Sequence, residues 1–75
     1  MTLIECNCEI PVLVTAVDGG QGFRLRLQNL GIGVGQELTK VHSHPFRGPI
    51  TVRVKTAQVA VGHGMAGRIH VESIP

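Results

Sequence analysis

The chain has 75 residues, 43% of them hydrophobic, and a formal net charge of +2. This length supports one small domain, residues 1–75, with little room for a deep catalytic cleft. The weak charge and the lack of Trp and Tyr argue against a nucleic-acid surface, which needs cations for phosphates and aromatics for stacking. No apolar run reaches the roughly 20 residues that cross a bilayer. We therefore predict a cytoplasmic protein that does not insert into membranes.

The first predicted strand is Pro11–Val17, which is β-branched and apolar at nearly every position. Because residues of both alternating sets are apolar, the pattern predicts a strand that is buried on both faces. The glycine-rich stretch 18–22 then predicts a flexible turn into the next element.

A short helix is predicted over Phe23–Leu30, because Phe23, Leu27 and Leu30 fall on one helical face. Gly31 follows at the position where a left-handed backbone commonly ends a helix. In such a stop the side chain of Ile32 folds back onto Leu27.

Four further strands follow from β-branched residues and period-2 alternation. They are Leu38–His44, Ile50–Lys55, Gln58–Val61 and Arg68–Glu72. Thr56-Ala57 is predicted as the turn of a hairpin, and stretch 62–67 as one helical turn at most. The predicted fold class is mainly β: a small, closed, five-stranded barrel with one short helix between its first two strands. The pattern alone leaves an SH3-like and an OB-like barrel open.

Two pairs of candidate metal ligands stand out, Cys6-x-Cys8 and His42-x-His44. Along an extended segment each pair would lie on one side, and together they would form a Cys₂His₂ set for Zn²⁺ or Fe²⁺. The spacing is not the Cys-x-x-Cys pattern of recognisable zinc sites. The alternative is that the cysteines are reduced, partly buried thiols and the histidines surface groups that bind transition metals adventitiously. We expect no required cofactor.

Catalysis is not predicted. Asp18 is the only aspartate, and the four glutamates are dispersed without an acid pair. The Gly31-x-Gly33-x-Gly35 run ends a helix rather than beginning one, and it lacks the lysine of a phosphate-binding loop.

A protein-interaction module remains. Its candidate contacts are Phe46, an aromatic between two prolines, and the arginines Arg24, Arg26 and Arg53. Phe46 either caps the end of the barrel or anchors a partner. Polyproline recognition is not expected, because two Phe residues cannot form the aromatic groove that it uses. Self-association through exposed strand edges is left open.

The sequence resembles the FeoA family in several ordered blocks. The blocks are Arg26-Leu27, Leu30-Gly31-Ile32, Gly35, Gly48-Pro49-Ile50, Val52-x-Val54, Ala60-Val61-Gly62, Ala66 and Ile69-x-Val71. The resemblance implies an SH3-like barrel and an accessory role in bacterial ferrous-iron uptake. The partner that it implies is the FeoB transporter, a membrane protein with a cytosolic GTP-binding domain. The alternative is a stand-alone metal-sensing module, similar to the SH3-like domain of DtxR-type repressors, that would use the Cys₂His₂ set.

Overall fold

A computed structural model describes residues 1–44 and 46–74 of the chain. The elements in order are β1 (Pro11–Val17), α1 (Gln21–Asn29), β2 (Glu37–Ser43), β3 (Ile50–Val54), β4 (Ala57–Val61), α2 (His63–Ala66) and β5 (Ile69–Ser73). The mainly β class and the helix between the first two strands are therefore confirmed. Stretch 62–67 forms the single helical turn that was expected.

The five strands form one antiparallel sheet with the order β4-β3-β2-β1-β5. Within the described ranges β4 does not pair with β5, so the predicted closure of the barrel is wrong. Register shifts between Val14 and Ala16 and between Lys40 and His42 interrupt the ladders of β1 and β2. Such irregularities bend strands, and the bent sheet encloses a core without bringing its two edges together.

The core is aliphatic and draws on every strand, on both helices and on the N-terminal ten residues. It comprises Leu3, Cys6, Val12, Val14, Leu27, Ile32, Leu38, Ile50, Val52, Val54, Val61, Ala66, Ile69 and Val71. On β1 only Val12 and Val14 are buried, and Leu13 is exposed. The expectation that β1 is buried on both faces is therefore wrong, because the sheet packs its core on one face only.

The end of α1 has the predicted geometry. The amide of Ile32 donates to the carbonyl of Leu27, and the amide of Gly31 to that of Gln28, both at 2.9 Å. This pair of bonds is the Schellman motif, and Gly31 has the required positive φ of 87°. Ile32 and Leu27 are both fully buried. Leu30 is exposed, contrary to the predicted stripe, because it is the C-cap rather than a core-facing helical residue.

The hairpin of β3 and β4 is regular. Its register runs from Ile50 opposite Val61 to Val54 opposite Ala57 without a shift. The turn residues are consequently Lys55 and Thr56, one position earlier than predicted, and Lys55 has a positive φ of 57°.

Residues 1–10, here called the N-terminal segment, have no regular strand or helix but belong to the body of the fold. Leu3 is fully buried. Its amide donates to the carbonyl of Ile69 at 2.9 Å, and the amide of Val71 donates to the carbonyl of Met1 at 2.8 Å. The N-terminal segment therefore covers the edge of β5 that β1 leaves free.

Candidate functional site

The two cysteines lie in different environments. Cys6 is buried and its Sγ lies 3.4 Å from the carbonyl oxygen of Leu3, whereas Cys8 is exposed. Burial raises the pKa of the Cys6 thiol above its ordinary value, an effect that the positive charge of Lys40 partly offsets. The N-terminal segment turns rather than extends here, so the two thiols do not share one side as the i, i+2 spacing predicted.

The two candidate histidines lie at the end of β2 and beyond it. The rings of His42 and His44 meet edge to face with centroids 4.5 Å apart, and both residues are exposed. Within residues 1–44 and 46–74, no three His, Cys, Asp or Glu side chains form a group that could hold a metal ion. The structure thus brings the two histidines together, but it does not assemble them with the cysteines into the predicted Cys₂His₂ set.

Lys40 is a residue that the sequence reasoning missed. It is 4% exposed, and its Nζ donates to the carbonyl of Ile4 at 2.9 Å, while the carbonyl of Lys40 accepts the amide of Glu9 at 2.7 Å. The signal was present in the alternation of β2, which places Lys40 on the same face as buried Leu38. This lysine ties the N-terminal segment to the sheet.

Phe46 projects into solvent. Its exposure is 98%, so the side chain does not cap the core and that alternative is wrong. Phe46 and Arg47 both have positive φ, 58° and 62°, a backbone conformation that residues other than glycine rarely adopt. The loop also contains Pro45, which lies outside the described residues.

The three candidate arginines lie on two elements of the fold. Arg24 and Arg26 are exposed on α1. Arg53 is exposed on β3, and its guanidinium lies 3.3 Å from a carboxylate oxygen of Glu9. Arg53 thus already has an ionic partner within the chain, although such an exposed pair contributes little to stability.

A shallow pocket lies beside α1. It has a volume of about 280 Å³ and is lined by Val17, Arg24, Gln28, Ile32, Gly33 and Val34. Ile32, whose amide closes the Schellman motif, is buried and lines the base of the pocket. Val34, at 68% exposure, lies at its rim. Arg24 and Gln28 are four residues apart and so share one side of the helix. We call this site the α1 pocket. It is apolar at its base and carries one cation at its edge.

A second polar contact escaped the sequence reasoning. Nε2 of His70 and Oδ2 of Asp18 are 2.6 Å apart, and they join β5 to the residue that follows β1. Both side chains are partly exposed and lie outside the α1 pocket. This contact connects two segments of the chain at the surface.

In the described part of the chain, neither helix has the length and apolar character needed to cross a bilayer.

Comparison with known proteins agrees with this architecture. The family model described as FeoA domain matches residues 1–73. A protein of Methanocaldococcus jannaschii named Fe(2+) transport protein A is 34% identical over 61 residues, which are 81% of this chain and 72% of that protein. The crystal structure of an iron uptake regulatory protein (FeoA) superposes with a TM-score of 0.89 at 31% identity, covering 99% of this chain and 97% of that one.

A likeness of fold extends to one domain of a larger protein. ScaR, solved with bound Zn²⁺, superposes with a TM-score of 0.87 over 99% of this chain but only 37% of its own length. The identity is 20%, so this likeness concerns the fold alone.

Proposed function

Because the chain belongs to the FeoA domain family, we propose that it is a cytoplasmic, non-catalytic accessory protein of ferrous-iron uptake that docks on the cytosolic part of a FeoB-type transporter. The observation that carries this proposal is the family match over residues 1–73 together with the name of the curated relative. The role is one of binding a protein, not of moving or oxidising iron.

The α1 pocket is the surface that best suits such a partner. Its base is apolar, and Val34 on its rim is the most exposed of the large aliphatic residues that the structure describes. Interfaces gain most of their energy from apolar groups that enter a pocket and become fully desolvated. Arg24 at the edge adds a cation that would orient an acidic or carbonyl-rich segment of the partner. Phe46, on a separate loop, is a second candidate anchor.

The experiment measures uptake of radioactive Fe²⁺ in host cells that lack this chain and receive it on a plasmid. The wild-type chain should restore uptake, and it should recover the transporter when purified through a tag in mild detergent. Val34→Asp, which places a charge on the rim of the α1 pocket, should lose both activities.

The matched control is Leu25→Asp. Leu25 is an exposed aliphatic residue of α1 that does not line the pocket, so this variant should keep uptake and recovery. Equal loss in both variants would exclude the α1 pocket as the docking site. Normal uptake in cells without the chain, with no second copy of the gene, would overturn the proposed function.

Support for the metal-sensing alternative is weaker. That alternative requires the Cys₂His₂ set. Among the described residues, Cys6 is buried whereas Cys8 is exposed, and the four side chains do not form a group that could hold a metal ion. The likeness to ScaR adds only a shared fold.

A further inference from the structure

The two edges of the sheet differ in their backbone hydrogen bonding. At the β5 edge, backbone bonds from Leu3 and to Met1 occupy the outer side of the strand, with an isolated bridge between Thr2 and His70. At the other edge, within the described ranges, backbone pairing ties β4 to β3 only. Every second residue of an antiparallel strand directs its N–H and C=O away from its neighbour, so β4 presents a row of unpaired backbone groups.

β4 also lacks the features that normally keep an edge strand from pairing. Those features are charged side chains, proline, bulges and a covering segment. The sequence Ala57-Gln58-Val59-Ala60-Val61 has no charge and no proline, and its ladder with β3 runs through five residue pairs without a shift. Such a straight, neutral edge is competent to accept another strand.

We propose that β4 pairs antiparallel with β4 of a second copy of this chain, about a twofold axis through Val59. A twofold axis makes the contact self-complementary and closed, so it yields a dimer and not a fibre. In this register Gln58 faces Ala60 of the other copy, and no like charges meet.

The charges nearest to β4 are compatible with a second copy of this chain as the strand that pairs with β4. Two cations lie next to β4: Lys55 is in the turn outside the strand, and Arg53 is opposite Gln58 on β3, where it is paired with Glu9. In the twofold arrangement the two copies of Lys55 lie eight residues apart along the strand direction, about 26 Å at 3.3 Å per residue. That separation exceeds the screening length at physiological salt. Repulsion between the two copies of Lys55 therefore does not oppose the pairing.

Apart from Gln58, the side chains of β4 are no larger than that of valine, and those of Ala57, Gln58 and Ala60 are exposed. A contact of one five-residue strand is smaller than a standard interface. We therefore expect a dimer that forms reversibly, at high micromolar to millimolar concentration.

The test compares the wild-type chain with two double variants by sedimentation equilibrium from micromolar to millimolar concentration. Gln58→Lys/Ala60→Lys places like charges opposite each other at two positions, and the dimer dissociation constant should rise about tenfold. Gln58→Glu/Ala60→Lys places opposite charges at the same two positions, and its constant should equal or fall below that of the wild type.

The matched control is Gln21→Lys/Asn29→Lys. It adds the same net charge at two exposed positions of α1, and its dissociation constant should change less than that of the β4 lysine variant. Circular dichroism verifies that all variants are folded. A wild-type chain that stays monomeric at millimolar concentration would overturn the proposal, because β4 would then await a different partner. So would a dimer in which the two β4 variants behave alike.

Discussion

In the N-terminal segment and the β3–β4 hairpin, the regularity of the secondary structure does not match the degree of burial. The hairpin is the most regular part of the chain, yet its outer strand is mostly exposed and pairs on one side only. The N-terminal segment has no regular element, yet it contributes Leu3 and Cys6 to the core and covers the edge of β5. Regular secondary structure alone therefore does not identify every part that holds this fold together. Burial and the destination of backbone hydrogen bonds do.

The largest expected contrast is between the rates at which the thiols of Cys6 and Cys8 react with a maleimide. If the N-terminal segment opens only when the whole domain unfolds, Cys6 should react with a maleimide on the order of a thousandfold more slowly than Cys8. Cys8→Ser and Cys6→Ser isolate the two rates, and denaturant should make them equal. Native rates that differ by less than about tenfold would show that the segment detaches locally and is no part of the cooperative core.

Among the stability variants, truncation of Leu3 in the N-terminal segment should have the largest effect. Leu3 is fully buried, so Leu3→Ala should lower the free energy of unfolding by about 3 kcal/mol, measured in urea. Leu25→Ala is the control, because Leu25 is 56% exposed, and it should cost no more than about 0.5 kcal/mol. Similar losses in the two variants would remove the N-terminal segment from the core.

Substitutions of Lys40 test how the N-terminal segment is attached to the sheet. Lys40→Ala removes the hydrogen bond to the carbonyl of Ile4 and the packing of the aliphatic stem, and it should cost about 2 kcal/mol. Lys40→Met keeps most of the stem and should lose less. The control, Lys55→Ala in the exposed turn, should stay within about 0.5 kcal/mol of the wild type. A Lys40→Ala variant that is as stable as the wild type would mean that the Lys40 side chain does not help to hold the segment.

The outer strand of the hairpin should tolerate truncation better. Val59 is half-buried and packs against the core from its margin, so Val59→Ala should lower the free energy of unfolding by about 1 kcal/mol. A loss as large as that of Leu3→Ala would contradict the contrast between the two regions.

Acid titration tests a smaller contact within the N-terminal segment. The backbone amide of Thr2 donates to the Glu5 carboxylate at 2.6 Å, and this bond lowers the pKa of Glu5 below its ordinary value of 4.5. A lowered pKa gives stabilisation that is present above 4.5 and is lost as the pH falls through the folded-state value. Glu5→Gln should therefore be less stable than the wild type at neutral pH and approach it in acid. A difference that is constant with pH would exclude this contact as its source.

Local pattern predicted the strands and the helix stop well. The bounds of β1 were predicted to the residue, and Gly31 has the positive φ and the Schellman bonds that the run of leucines and glycines indicated. These features depend on neighbours within a few residues, and β-branching, alternation and glycine conformation report on them directly. The family resemblance depends on the same blocks.

The candidate site was harder to predict. The Cys₂His₂ hypothesis assumed an extended N-terminal segment, but hydrogen bonds from Glu5 and Cys6 back to Thr2 turn it. The α1 pocket combines residues of β1, α1 and the following loop, and the sequence predicted a contact role for Arg24 but not the pocket itself. Such a surface exists only once distant segments are packed together.

By itself, the sequence determined the mainly β class, the positions of the strands and the glycine stop after α1, because each follows from local backbone preference and side-chain alternation. Only the tertiary structure decided that the sheet stays open, that Cys6 is buried and that Phe46 is exposed to solvent. The physical reason is that burial and edge pairing depend on contacts between residues far apart in the chain. Lys40 contacts Ile4, and Leu3 contacts Ile69; no local pattern encodes either contact.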